Sequence, residues 1–206
     1  MIAKEAATTS AQGLRARKKA RTFDLIQSNG LRLFTEKGFE NTTIEEIAEA
    51  SDISVSTFFR YFPTKEDIVL YDALDPLLID TFSKLPASLT PLQAMRQAMT
   101  VTFGSLSKGE LTTLQQRQEL IFKTPALHGK MLEELLRNIE LTAMLTAQRA
   151  GIDPQSTAAR SFAGAFIGVN LAAIASMKQE EHFSIEQYQK EFSRLLDEFD
   201  HHYTTL

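Results

Sequence analysis

Between Ser51 and Phe62 the chain reads SDISVSTFFRYF, a dense run of hydroxyl and aromatic side chains in a sequence without tryptophan or cysteine. Ser54, Ser56 and Thr57 lie within one turn of each other, with the small apolar Val55 among them. Ser54 can cap a helix that opens at Val55. At such a start the exposed backbone N–H groups and the helix dipole attract phosphate. Short side chains also let a helix approach the base edges of a duplex, where hydroxyls can hydrogen-bond and Val55 can meet a thymine methyl. Phe58 and Phe62 stand four apart, hence on one face, and are expected to be core. The same residues would equally serve as caps and core of a helical hairpin that only packs.

These side chains need elements to hold them. Helical spacing recurs along nearly the whole chain and the alternation of strands does not, so the reading is all-α, with about nine helices. The first is expected from Leu14 to Lys37, with Phe23, Ile26, Gly30, Leu33 and Phe34 on one face and Gly38 as its stop. Asn29-Gly30 resembles a hairpin turn, but the apolar spacing runs through it without a phase shift. Thr43 and Glu46 form a capping box for a short second helix. Ser54 caps the third, and Pro63 ends it. Thr64 starts a fourth with Glu66 and Asp67 in its first turn, which Asp75-Pro76 should kink or restart. Five more helices follow: from Thr90-Pro91 to before Lys108-Gly109, Leu111 to Phe122, Pro125 to about Ala150, one opened by Asp153-Pro154, and one boxed by Ser184 and Gln187. Two short helices joined by a turn of about four residues form the arrangement that lets the second enter a major groove.

Charge supports that placement. The formal net charge is −4, yet residues 1–32 carry +5 and the remainder −9. A basic arm (Arg15, Arg17, Lys18, Lys19, Arg21) on an acidic body is the asymmetry of a chain whose one end meets a polyanion. A solubilising tail is the bland alternative. The absence of cysteine excludes disulfides and thiolate metal sites, and the start of the chain lacks the apolar core of a signal peptide, so a cytoplasmic location is expected. His128, His182, His201 and His202 show no metal-ligand spacing, and neither a glycine-rich phosphate loop nor a nucleophile elbow is present. No enzymatic reaction, metal or cofactor is therefore assigned. A purely structural helical protein would explain the apolar stripes but not a basic arm joined to a capped helix pair.

The run LFTEKGFENTTIEEIAEASDISVSTFFRYFPTKEDI resembles the amino-terminal domain of TetR-type transcriptional repressors, over about residues 20–70. The resemblance implies a homodimer on double-stranded DNA, with Thr43 a phosphate contact, Val55, Ser56 and Thr57 groove readers beside Ser54, Phe59 and Tyr61 contacts near the backbone, and Lys65 a phosphate ligand. Asp52 stands where the family has glycine, and Asp tolerates a left-handed backbone better than most residues. Phe59 replaces a frequent tyrosine, and Glu45, basic in some relatives, is assigned no contact. The implied organisation is a flexible tail over 1–13, a helix-turn-helix domain over 14–66 and a larger helical domain over 67–206 that binds an effector and pairs.

In that larger domain, TFFRYFPTKEDIVLYDALDPLLIDTF and LEELLRNIELTAML look similar to an actinobacterial branch of the family associated with acyl-CoA-like ligands and mycofactocin regulators. Met95, Met99, Phe103, Phe122, Phe162 and Phe166 would suit a flexible apolar ligand, because methionine and phenylalanine conform to acyl chains. Arg117, Arg137 and Asn170 interrupt apolar patterns and could hold a polar head or face solvent. The small residues Ala163, Gly164, Ala165 and Gly168 permit close backbone approach, and Ile185, Tyr188, Phe192, Leu195, Leu196, Phe199 and Tyr203 form a stripe on the last helix. Two such helices per subunit would make a four-helix bundle. A membrane span is not expected, since the apolar run from Phe162 to Ala175 is shorter than the ~20 residues a bilayer requires and contains Asn170. The implied mechanism is an effector-driven change in the spacing of two recognition helices, with the fourth helix as lever.

Overall fold

A computed structural model describes residues 2–71, 74–177 and 183–203, with side chains from residue 17 to residue 201 outside the gaps. Among the described residues it contains ten α-helices, one 3-10 turn and no strand. The chain divides into two compact units, Met1–Tyr71 and Asp72–Leu206.

The first unit holds α1 (Ile2–Lys37), α2 (Ile44–Ala50), α3 (Val55–Tyr61) and α4 (Lys65–Leu70). α1 begins twelve residues before the expected Leu14. It passes through Asn29-Gly30 unbroken, and Gly38 closes it with φ +85. Ile26, Phe34, Ile47, Phe58, Phe62 and Ile68 are almost completely buried and form the core. Each such side chain contributes about 1.5–3 kcal/mol by leaving water. Phe23 packs against both Phe62 and Tyr71 at 4.5 Å between centroids. Gly30 is where α1 meets α4, because a Cβ there would lie 2.9 Å from Ile68 Cδ1. Only a residue without a side chain lets the two backbones come so near.

Polar side chains of α1 close the ends of its neighbours. Gln27, itself buried, donates to the carbonyls of Ile68 and Tyr71 at the end of α4. Asn29 donates to the Ala50 carbonyl and to Ser51 Oγ, where α2 turns toward α3. In that turn Asp52 adopts φ +52, the left-handed conformation expected of it.

The second unit comprises α5 (Leu74–Lys84), α6 (Pro91–Ser105), α7 (Lys108–Lys123), a 3-10 turn (Pro125–Leu127), α8 (His128–Ala150), α9 (Thr157–Ser176) and α10 (Ile185–Tyr203). Asp75-Pro76 lies in the first turn of α5, so it restarts the helix, which accounts for the tenth element. α7 opens at Lys108, three residues before Leu111, on a Ser107–Glu110 capping box. α5 packs on α6, α8 on α9, and α9 on α10. One core runs through them, built on Phe82, Met95, Met99, Phe166, Tyr188, Phe192 and Leu196. Arg149 near the end of α8 donates to the carbonyls of Phe82, Leu85 and Pro86. It lies 4.6 Å over the Phe82 ring, a cation closing the negative end of α5. Arg96 pairs with Asp197 and joins α6 to α10.

Candidate nucleic-acid interface and effector site

The expected reader is built from its caps outward. Thr43 caps α2: its hydroxyl accepts from the Glu46 N–H at 3.2 Å, and its own N–H donates to the Glu46 carboxylate at 3.0 Å. Lys37 donates to the other Glu46 oxygen at 2.7 Å. The Lys37 hydrogen bond, followed by the Thr43 N–H, holds the Glu46 carboxyl below its ordinary range. At α3, Ser54 Oγ accepts from the Thr57 N–H and lies 2.9 Å from both Ser56 Oγ and Thr57 Oγ1. The three hydroxyls are therefore one connected cluster at the start of the helix.

Burial separates the faces of α3. Phe58 and Phe62 are in the core, Val55, Thr57 and Tyr61 are half-buried, and Ser56 and Arg60 are exposed. Phe59 is 50% exposed, an unusual position for phenylalanine on a helix so well anchored by its neighbour Phe58. Arg60 was not singled out from the sequence. It follows Ser56 by one turn and lies 5.8 Å over the Tyr61 ring. Counting four residues from Ser56 along the face opposite Phe58 would have found it.

Arg17, Lys18, Lys19 and Arg21 are exposed along α1. The backbone of Arg15 belongs to the same helix, while its side chain lies outside the described residues. Lys65 takes a different position: its ammonium donates to the carbonyls of Phe39 and Thr42.

This geometry is a small unit with one exposed, hydroxyl-rich helix face, a basic helix leading to it, and a separate larger helical unit. The family profile described as "Bacterial regulatory proteins, tetR family" matches residues 26–71, and that of the "MftR C-terminal domain" matches residues 89–200. The chain belongs to the TetR family. It is 36% identical to the HTH-type transcriptional regulator TcmR of Streptomyces glaucescens over 71% of this chain and 68% of that one. It is 24% identical to MftR of Mycobacterium tuberculosis, named for mycofactocin biosynthesis, over 83% of this chain and 87% of that one. The fold is shared with a TetR-family protein from Mesorhizobium loti (TM-score 0.56, 20% identity, covering 89% of this chain and 96% of that one). It is shared also with FadR of Thermus thermophilus, solved with lauroyl-CoA (TM-score 0.54, 20% identity, covering 85% and 91%). The chain is thus a transcriptional regulator of this family and not an enzyme.

In the TetR-family body, all six expected apolar effector residues join one cluster. Met95, Met99 and Phe166 are buried in it, and Phe103, Phe122 and Phe162 pack against it half-buried. Residues absent from the expected set link them. Phe162 stacks on Phe166, Phe166 meets Phe192 at 5.8 Å, Phe192 meets Tyr188, and Tyr188 meets both Phe103 and Phe183. Phe183 in turn meets Phe122. Asn170 lies half-buried one turn beyond Phe166 on the same face of α9. Arg117 on α7 is only 6% exposed, whereas Arg137 is exposed and pairs with Glu134. Burial therefore separates the two sequence candidates, Arg117 inside and Arg137 at the surface.

The faces expected to pair differ as well. On α10, Tyr188, Phe192 and Leu196 are taken up by the unit's own core, and Ile185, Leu195 and Phe199 are half-buried. Tyr203 has its side chain outside the described residues. On α9, Ala163 is buried, but a Cβ added at Gly164 or Gly168 would meet no atom within 4 Å. α9 as a whole is long and apolar enough by length and composition to cross a membrane. Its Ala159, Ala163, Phe166 and Ala173 are buried between helices.

Proposed function

We propose that this regulator is a repressor that binds a palindromic operator as a homodimer and is released by a small apolar, acyl-type effector. The observation that carries the DNA reading is the division of α3. Phe58 and Phe62 fix the helix in the core while Ser56, Phe59 and Arg60 face outward, which is what a helix lying in a major groove requires. In this reading Ser54, Val55, Ser56 and Thr57 read base edges, and Phe59 and Tyr61 meet the sugar-phosphate backbone. Thr43 and the basic residues Arg15, Arg17, Lys18 and Lys19 meet phosphates.

Pairing through α9 and α10 is supported by the open faces of Gly164 and Gly168, which permit a second helix to come close. The acyl-type effector is supported by the Met95, Met99, Phe162 and Phe166 cluster, with Arg117 and Asn170 as partners for a polar head. FadR of Thermus thermophilus, a fold neighbour, was solved with lauroyl-CoA. An effector that favours one spacing of two recognition helices shifts the population toward it and changes DNA affinity.

The test is binding of the full chain to a mixed-sequence duplex at low and high salt, then addition of acyl-CoAs of increasing chain length to the bound complex. Binding that weakens steeply with salt and is reversed by a long-chain acyl-CoA is expected. Binding without salt dependence would sink the DNA reading, and release by no acyl-CoA would sink the effector reading alone.

A further inference from the structure

Three groups converge on the hydroxyl of Ser54, the residue that caps α3. The Thr57 N–H donates to Ser54 Oγ at 3.2 Å, and Ser56 Oγ and Thr57 Oγ1 each lie 2.9 Å from it. A hydroxyl has one proton to give and two lone pairs to receive. One lone pair of Ser54 is taken by the Thr57 N–H, which leaves its own proton and one lone pair for the two neighbouring hydroxyls. One of them must therefore donate to Ser54 while the other accepts from it.

That count sets Ser56 and Thr57 in opposite senses. When Ser56 donates inward, Ser54 donates to Thr57, so the Thr57 proton points outward and Ser56 offers only lone pairs. When the chain of protons reverses, Ser56 offers its proton and Thr57 only lone pairs. In the major groove guanine presents acceptors and cytosine a donor. The sense of an exposed hydroxyl such as that of Ser56 is then a base preference.

We propose that Ser54 is a positioning residue that sets base specificity through its neighbours: it couples the two hydroxyls, so that the group met by Thr57 fixes which base Ser56 accepts. The inference rests on the reading of α3 as the DNA-reading helix. A phosphate or a guanine edge only accepts, so a Thr57 proton spent on either leaves Ser56 an acceptor. Ser56 then selects cytosine N4 or adenine N6. The wrong base opposite Ser56 reverses the chain against Thr57 or breaks one of its bonds. Either way about one net hydrogen bond is lost, an effect of about fivefold on affinity.

The test uses the full chain and a duplex recovered from a random pool by the wild-type protein. The base pair read by Ser56 is the one whose exchange ceases to matter in Ser56→Ala. Reversing that pair, G·C to C·G or A·T to T·A, interchanges donor and acceptor, and the wild type should bind the reversed duplex about fivefold more weakly. Ser54→Gly keeps a residue tolerated at a helix cap and frees both hydroxyls, so the difference should fall below about twofold. Ser54→Thr keeps both cap and hydroxyl and should retain it. No difference in the wild type, the full difference in Ser54→Gly, or no base pair that responds to Ser56→Ala would overturn the proposal.

A second variant leaves Ser54 in place. Thr57→Val removes one end of the chain, and Ser56 can then face either base without losing a bond to Ser54. Affinity should drop for both duplexes, and the discrimination between them should fall below about twofold. Unchanged discrimination in Thr57→Val would overturn the proposal even if Ser54→Gly does not fold. A wild-type chain that binds no duplex at low salt would overturn the DNA reading and this role with it, an outcome distinct from binding that persists with its discrimination unaltered.

Discussion

Replacing Gly30 by Ala should destabilise the first unit, although Ala is the better helix former. Two effects oppose each other at this position. In the middle of α1 the exchange gains about 1 kcal/mol of helix propensity. Against it, the new Cβ would stand 2.9 Å from Ile68 Cδ1, 3.0 Å from Ile68 Cγ2 and 3.8 Å from Ile47 Cγ2. Rotating the end of Ile68 relieves only the first contact, because Cγ2 is fixed to the branched Cβ. Ile68 and Ile47 are both fully buried, and the Ile68 carbonyl is held by Gln27, so α4 cannot easily move away. Overpacking of this kind costs about 1–3 kcal/mol. The net loss is then about 1 kcal/mol, read as a lower urea midpoint by circular dichroism and faster exchange of α1 and α4 core amides. A double-mutant cycle isolates the cause. Ile68→Val removes Cδ1, so it should cost about 1 kcal/mol less in the Gly30→Ala background than in wild type. Unchanged or increased stability of Gly30→Ala, or strictly additive costs, would refute the reasoning.

Three further expectations follow from the same unit and its caps. Asp52 holds φ +52, so Asp52→Gly should be neutral or slightly stabilising and Asp52→Val should lose about 1–2 kcal/mol, both read from urea midpoints. Phe58→Ala should remove about 3–5 kcal/mol and abolish DNA binding by unfolding the unit, which loss of helicity at low urea would report. Acid should weaken the fold with a definite sign. Glu46, Glu110 and Glu191 are held below the ordinary carboxylate range by hydrogen bonds from Lys37, Ser107 and Arg194 respectively. Their contribution is complete above the unfolded value of about 4.3 and is lost as pH falls through the lower folded values. Glu46→Gln should therefore flatten part of the acid limb of a stability-versus-pH curve.

What could be read from the sequence was mainly what nearest neighbours decide. The Thr43–Glu46 box, the Ser54 cap, the helix start at Thr90-Pro91 and the helix end at Ala150 all appear as expected, because each is decided within three or four residues; the Gln93 partner of Thr90 was not foreseen. The start of α7 was legible too: Ser107 and Glu110 carry the box spacing, but Lys108-Gly109 looked like a break. The early start of α1 carries no such mark, since residues 2–13 lack an apolar face to reveal them. Contacts between distant residues were not legible. Nothing near Lys65 announces that its partners are the Phe39 and Thr42 carbonyls. Nor does the pattern around Arg117 and Arg137 say which is buried. The body's apolar residues were identified as a set, while Tyr188 and Phe192, which join them, were assigned to the pairing stripe of the last helix, and Phe183 was not singled out, because an apolar stripe does not say which neighbour it packs against.

That α3 reads DNA is tested most directly by selecting duplexes from a random pool with the wild-type chain, Thr57→Val and Phe59→Ala side by side. The wild type is expected to enrich an inverted repeat with half-sites about one helical turn, or a multiple of it, apart. Thr57→Val should lose that enrichment, and Phe59→Ala should keep it. No enriched sequence with the wild type, or the same repeat recovered with Thr57→Val, would contradict α3 as the reading element.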